Sequence, residues 1–239
     1  MTPTPPPPRV VSLVPSVTET LLAWGVMPVA CTRFCEQPDL PHVGGTKDPD
    51  IAAIVDLQPD LVVLCVEENR REDAEALTGA GVRTASLSID GLADVGPALR
   101  MLAALVGAAP PPDELDALDV LGAAGVPPPQ MRAFVPIWKR PWMTLSAGTY
   151  GSSLLAALGI ANVFADAVDR YPTVTLDEVR ARRPDVVLAP SEPYPFAERH
   201  VALFADVAPV VLVDGQDLFW WGTRTPAAMA RLRARVAEV

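Results

Sequence analysis

Residues 91–125, GLADVGPALRMLAALVGAAPPPDELDALDVLGAAG, decide how this chain divides. Their spacing predicts one helix, a break at Pro110-Pro111-Pro112, and a second helix opened by Asp113 and Glu114. Proline and acidic side chains both suit a helix N-terminus, the one because its missing N–H is not needed there, the other because it faces the positive end of the helix dipole. On either side of this stretch the chain repeats itself. Before it run RVVSLVPSVTETLLAWG, IAAIVDLQPDLVVLCVEE and AGVRTASLS; after it run MRAFVPIWKRPWMTLSAGTYGSSLLAALG, LDEVRARRPDVVLAPSEP and VAPVVLVDG. Each half reads as strand, polar turn with Thr, Leu-Leu helix ending in Gly, a helix into Pro-Asp, apolar strand, acidic loop, helix and strand. Pro59-Asp60 matches Pro184-Asp185, and Glu67 matches Glu192 at the same offset. A repeat this long is a duplicated lobe, not the roughly 20–50-residue unit of a solenoid. The predicted class is α/β, two duplicated lobes with mostly parallel sheets. The boundaries read as a Pro-rich tail over 1–8, expected to be disordered, an N-terminal lobe over 9–90, a helical linker over 91–125, and a C-terminal lobe over 126–239.

Composition narrows the function. The chain has 239 residues, half of them hydrophobic and 20% charged, enough apolar material for two cores and too much for a disordered chain. A formal charge of −10, with no basic run, argues against a nucleic-acid partner. No apolar run reaches the ~18 residues of a membrane span. The N-terminal TPTPPPPR lacks the basic and apolar regions of a signal peptide. The expected location is therefore cytoplasmic, or extracytoplasmic if the true start lies upstream of Met1. The three cysteines, Cys31, Cys35 and Cys65, are odd in number and lack CxxC spacing, so neither a disulfide framework nor a zinc site is read. Their default role is that of small buried hydrophobes.

Candidate site residues fall where predicted strands end. Pro15 and Ser16 follow the first strand, and Ser16 or Thr18 is expected to cap the next helix. Arg33, Phe34 and Cys35 follow the second strand. Gly44-Gly45-Thr46 is a glycine turn without the spacing of a nucleotide site. Leu61 to Val66 delivers Glu67 and Glu68, with Glu72 opening a helix. Val186 to Ala189 delivers Glu192, Tyr194 and Phe196, with Glu198 opening a helix. Aromatics make up only 6% of the chain, yet Trp142, Tyr150, Tyr194, Phe196, Trp220 and Trp221 gather near loops of the second half, beside Arg224. Singly such residues are core; as a set they read as the lining of a ligand site. No GxSxG, HExxH or other nucleophile–base motif appears.

Taken in order, SLVPSVTETL, TRFCEQP, VGGTKDPDIAAIVDLQPDLVV, TYGSSLLAALGIANVF and RRPDVVLAPSEPYPF resemble the vitamin B12-type substrate-binding proteins of ABC importers. These belong to the helical-backbone metal-receptor, or class III periplasmic binding protein, group. The likeness runs over nearly all of residues 9–235. It implies two α/β lobes joined by a rigid helical linker, with a corrinoid or other metal chelate in a cleft between them. No intrinsic cofactor or resident metal is implied, cobalamin being the ligand, and the chain is expected to be a monomer that is not an enzyme. Carried over by residue, the ligand contacts are Pro15, Ser16, Arg33, Phe34, Cys35, Gly45, Thr46, Glu67, Glu68, Trp142, Tyr150, Glu192, Tyr194, Phe196, Trp220, Trp221 and Arg224. Glu72 and Glu198 correspond to the acidic pair that docks on transporter membrane subunits. With only His42 and His200, the chain is poor in the ligands of a bare metal ion. The alternatives are a siderophore or haem receptor on the same fold, and a cytoplasmic corrinoid-handling protein or enzyme without a transporter.

Overall fold

The computed structural model describes residues 7–238, so most of the Pro-rich tail, residues 1–6, lies outside the described residues. The chain forms two units. The first comprises residues up to Ile89, Asp94–Asp119 and Trp221–Thr223; the second comprises Asp90–Ala93, Val120–Trp220 and the remainder from Arg224.

The first unit runs β1 (Val10–Ser12), α1 (Pro15–Ala23), β2 (Ala30–Cys31), α2 (Ile51–Asp56), β3 (Leu61–Cys65), α3 (Arg71–Gly79) and β4 (Thr84–Leu87). Its sheet has the order β2-β1-β3-β4, every pair parallel. Parallel neighbours need a crossover, which the intervening helices supply. All five residues of β3 are buried, as befits a strand covered on both faces. The core here is aliphatic: Val11, Leu13, Ala30, Val43, Ile54, Val62, Leu64 and Leu77. Two helices follow, α4 (Leu92–Val106) and α5 (Pro112–Ala123), broken at the predicted prolines. Arg100 pairs across them with Asp116 and Asp119, and Trp24 Nε1 at the end of α1 donates to Glu114 Oε1 at 2.8 Å.

The second unit runs β5 (Met131–Phe134), β6 (Trp138–Lys139), β7 (Trp142–Met143), α6 (Tyr150–Ala157), β8 (Ile160–Asn162), β9 (Thr173–Val174), α7 (Leu176–Ala181), β10 (Val186–Pro190), α8 (Glu198–Val201), β11 (Val210–Val213), α9 (Gly215–Phe219) and α10 (Thr225–Val236). Its main sheet has the order β11-β10-β5-β8, again all parallel. With β5, β8, β10 and β11 set against β1, β2, β3 and β4, the two orders are the same. The predicted duplication is therefore a duplication of topology. The second unit also carries a small antiparallel sheet, β6-β7-β9, which the sequence reading did not separate out.

The repeated Pro-Asp pair has a physical role that is the same in both units. Asp60 accepts the backbone N–H of Arg9 at 2.7 Å and returns its own N–H to Arg9 O at 2.8 Å. Asp185 does the same with Arg132, at 2.8 Å in each direction. The Arg9 and Arg132 guanidinium groups each donate to the carbonyl at the end of the preceding helix, Leu57 O and Arg182 O, both at 2.7 Å. Pro-Asp thus pins the first strand of each unit to the third. The residue before each proline, Gln58 or Arg183, takes a left-handed φ of 48° or 49° to let the chain turn off the helix.

Candidate ligand-binding site

In a parallel sheet all strands end on one edge, and open α/β sheets bind ligands there, beside the point where the strand order reverses. In the first unit that point lies between β1 and β3. The segments at this edge are Leu13–Ser16 after β1, Thr32–Cys35 after β2, Val66–Asn69 after β3, and the Gly44-Gly45-Thr46 turn.

One residue ties three of them. Asn69 is buried, and its Nδ2 donates to Leu13 O at 3.1 Å and to Thr46 O at 3.0 Å, while its Oδ1 accepts Cys65 N–H at 2.7 Å. An amide is the side chain that can do this, offering two donors and an acceptor at once. The sequence showed Asn69 only as a loop residue.

At the head of α1, Pro15 occupies the first helical position and the cap falls on Val14, which makes no side-chain cap. The expectation that Ser16 or Thr18 caps this helix is corrected. Proline's fixed φ draws the helix start back to itself, placing both hydroxyls inside the first turn. Thr18 Oγ1 bonds back to Val14 O at 3.2 Å. Ser16 Oγ is 1% exposed and has no hydrogen-bond partner among the described residues. A buried hydroxyl without a partner costs about 1–3 kcal/mol.

The Thr32–Cys35 turn closes with Cys35 N–H on Thr32 O at 3.1 Å and is held to the glycine turn by Arg33 N–H on Gly44 O at 2.9 Å. Arg33 lies 4.7 Å over the Phe34 ring and pairs with Asp48 at 2.9 Å, both partners half-exposed. A Cβ on Gly45 would fall 2.8 Å from Arg33 Nη2, which is why glycine stands there. Phe34 is 50% exposed, an apolar ring offered to solvent at the strand edge. Cys35, by contrast, is buried beneath the turn. Glu67 and Glu68 are half-buried in the β3 loop, where Lys47 Nζ donates to Glu67 O at 2.8 Å.

In the second unit the matching loops are built on rings. Trp142 stacks on Phe196 at 6.2 Å and meets Phe204 at 5.2 Å; Tyr194 lies 4.7 Å from Phe196 and 5.6 Å from Trp138. Phe196 is buried, whereas Trp142 and Tyr194 are half-buried. Glu192, two residues past β10 as Glu67 is past β3, packs on Gly215, where an added Cβ would fall 2.6 Å from the Glu192 backbone nitrogen. Tyr150 opens α6; its hydroxyl is buried against Thr225 Oγ1 at 3.0 Å, and burial pushes its pKa well above the usual phenol value. His200 is buried in the same cluster with Nδ1 accepting the Ala197 N–H at 3.1 Å; desolvation, then the nearby Arg199 and Lys139 charges, lower its pKa.

After α9 the chain carries Trp220 and Arg224, both half-buried, with the guanidinium 5.2 Å from the Trp220 ring. Arg224 is oriented by Gln216 Oε1 at 3.1 Å and by the buried Asp217 carboxylate at 3.3 Å, which Arg231 also holds. Trp221, next in sequence, is 3% exposed and counts with the first unit, where Gly222 and Thr223 sit against Thr20. Glu72 and Glu198 are exposed in the first turns of α3 and α8.

The structure thus brings the first-half residues to one sheet edge, and the second-half residues to the aromatic loops and the Trp220–Arg224 segment of the other unit. Two surface depressions, lined by Arg71, Ala74, Glu75 and Thr78 and by residues between Val201 and Val210, lie on helices and turns away from these loops. Among the described residues no group of three His, Cys, Asp or Glu side chains could hold a metal ion, and no helix is long and apolar enough to cross a membrane.

Two parallel sheets of this order, with loops collected at the strand ends, are the fold of the two-lobed periplasmic binding proteins. The crystal structure of a periplasmic vitamin B12-binding protein of Vibrio cholerae superposes with a TM-score of 0.75 at 21% identity, covering 98% of each chain. A periplasmic haem-binding protein solved with two haems gives 0.76 at 23% identity, over 97% of this chain and 98% of that one. Among curated sequences, the vitamin B12-binding protein of Salmonella choleraesuis is 27% identical over 193 residues, 76% of this chain and 71% of its own length. That of Pectobacterium carotovorum is 26% identical over 227 residues, 89% of this chain and 82% of its own. No family model matches the sequence. The resemblance carried by the SLVPSVTETL and LQPDLVV motifs is borne out along most of the chain.

Proposed function

We propose that this chain is a non-catalytic binding protein for a metal chelate, with cobalamin or another corrinoid as its ligand, serving as the substrate-binding component of an ABC-type uptake system. The observation that carries the reading is positional. In the first unit the residues marked out by the resemblance all fall on the strand-end edge, where Phe34 is exposed, Ser16 Oγ lacks a partner, and the Arg33 charge is balanced by Asp48. In the second unit Trp142, Tyr194 and Trp220 present ring surface. Exposed ring surface suits the face of a large, flat, weakly charged ligand, and strand-end backbone groups suit an amide periphery.

Haem is the second reading, favoured by the haem-binding proteins among the solved structures of this fold. Haem iron takes axial ligands such as His, Tyr, Met or Cys from its protein. Here Tyr150 is bonded to Thr225, His200 is buried with Nδ1 occupied, and Cys35 is covered, which leaves the half-buried Tyr194 as the phenol of these loops that would serve haem iron under this reading. Glu72 and Glu198 are the proposed docking acids for the transporter's membrane subunits.

Calorimetric titration of the purified protein with cobalamin, haem and a ferric siderophore tests the reading. Saturable one-to-one binding of cobalamin alone, at micromolar Kd or tighter (about −8 kcal/mol), is expected. Binding of haem alone transfers the function to the second reading, and binding of none of the three overturns both. Charge reversal at Glu72 and Glu198 together is expected to leave cobalamin affinity unchanged and to abolish ligand-stimulated ATPase of the reconstituted transporter.

A further inference from the structure

The strand order of the second unit, β11-β10-β5-β8, reverses between β5 and β10, and the crevice outside such a reversal is where open α/β sheets hold their ligands. The segments leaving those two strands are the β6-β7 hairpin and the loop after β10. They meet where Trp138 stands edge-on to Tyr194, the ring centroids 5.6 Å apart. Trp138 is 44% exposed, although Val135 and Ile137 just before it are buried. Lys139 and Arg140 follow it in the hairpin, with no acid between Trp138 and Trp142. Arg199 lies in α8, and its Nη2 donates to Pro195 O at 3.5 Å, back toward the Tyr194 loop. The Tyr194 ring is 5.5 Å from that of His200, and the charges of Arg199 and Lys139 both act on this buried imidazole. The cations and the ring pair therefore share one place.

What sets these three cations apart is their want of carboxylates. Among the described residues none of them is in an ion pair, whereas most arginines of the chain sit on an acid, as Arg33 does on Asp48, Arg71 on Glu75 and Arg182 on Asp166. With 29 acidic against 19 basic residues, the chain has acids to spare for such pairing. The acids nearest in sequence are Glu192, packed on Gly215, and Glu198 at the head of α8. We propose that Trp138, Lys139, Arg140, Tyr194 and Arg199 form an anion-recognising site in the second unit, which takes a phosphodiester or carboxylate carried at the edge of a flat ligand while the ligand's ring lies against Trp138 and Tyr194. The aromatic pair supplies contact area, and the cations supply charge complementarity. Exposed charges attract weakly, and salt screens them, so their effect falls on capture and on choice among ligands more than on total affinity.

The assignment of that anion to the chain's own ligand rests on the proposed function. In cobalamin the group is the phosphodiester of the nucleotide loop, which cobinamide lacks; in haem it is the pair of propionates.

The site is tested first with pyrenetetrasulfonate, a flat ring with an anionic rim, titrated into the full chain at low salt and followed by its fluorescence. Saturable binding is expected, weaker by about fivefold or more when Lys139→Gln, Arg140→Gln and Arg199→Gln are combined in a variant whose circular dichroism is unchanged. No binding by the wild-type protein, or equal affinities, overturns the proposal. Arg83, Arg183 and Arg233 are exposed and likewise in no ion pair among the described residues, so Arg83→Gln, Arg183→Gln and Arg233→Gln together remove the same charge elsewhere. That variant is expected to bind the probe as the wild type does; an equal loss there makes net charge the cause and overturns the site. Trp138→Ala, with every charge kept, is expected to weaken the probe as well, and unchanged affinity overturns the shared site. The second arm compares cobalamin, cobinamide and haem on the wild type and the Lys139, Arg140, Arg199 variant. A loss for cobalamin with cobinamide unchanged identifies the phosphodiester, and a loss for haem alone identifies the carboxylates. Equal losses for cobalamin and cobinamide, or no loss for any ligand the wild type binds, overturn the site's part in ligand recognition. If the wild-type protein binds none of the three, the ligand reading fails while the sulfonate titration still decides the anion site.

Discussion

The two units share a strand order, a Pro-Asp staple and a glycine-terminated helix after the first strand or its insert, yet they build their strand-end loops from different material. The first has an aliphatic core, and its loops are held by polar bonds converging on Asn69. The second has Phe134, Phe164, Phe196 and Phe204 in its core, and its loops are held by rings continuous with that core. The lesson is that the backbone topology places the loops, while the means of fixing them is free to differ. Hydrogen bonds fix a loop by geometry and bury little area. Rings fix it by area and leave an apolar face for a ligand.

That contrast can be broken from either side. The largest effect is expected from Phe196→Ala, which removes a buried ring touching Trp142, Tyr194, His200 and Phe204: about 3–5 kcal/mol in urea unfolding, and loss of the Tyr194 position. Asn69→Ala should cost about 2–3 kcal/mol, because Cys65 N–H, Leu13 O and Thr46 O lose their shared partner. Asn69→Asp, which keeps the acceptor and loses the donors, should recover only part of that. If Asn69→Ala is neutral, the loops of the first unit are not held as described.

Trp220→Ala tests the half-buried ring that Arg224 covers. A loss of about tenfold in cobalamin affinity, near 1.4 kcal/mol, is expected with little change in stability. Trp221 is unsuited to that test because it is buried, and its truncation would confuse packing with binding.

The smallest effect concerns pH. His200 is held neutral in the folded state, its pKa lowered chiefly by desolvation. The unfolded chain therefore takes up the proton first as pH falls through the ordinary histidine range near 6.5, and the folded state loses stability there and below. The thermal midpoint of the wild-type protein should fall between pH 7 and pH 5.5, and fall less in His200→Asn, whose Oδ1 can still accept the Ala197 N–H. Equal slopes would remove His200 from the acid response.

Local features were the legible part of this fold. The paired Pro-Asp motifs, the apolar β3 and β10 runs and the proline break before α5 are each set by a few adjacent residues, and sequence reading found them. The cap of α1 was misread because two local rules competed: Ser and Thr suit caps, but Pro15 claims the first helical position. Asn69 was overlooked for a different reason. Its carbonyl partners lie 56 and 23 residues away, and no spacing rule reaches that far. Trp221 was read as a ligand contact beside Trp220, but it is 3% exposed and counts with the first unit.

The division of the chain has a consequence for anyone who would take it apart. Each unit is drawn from three separate stretches, with residues 94–119 and 221–223 returned to the first after the chain has already entered the second. No single cut, whether by a protease or at a codon, yields one unit whole. The ancestral duplication is still visible in the strand orders, but its halves are no longer modules. Chimeras that swap ligand preferences between relatives should therefore exchange loops, not lobes.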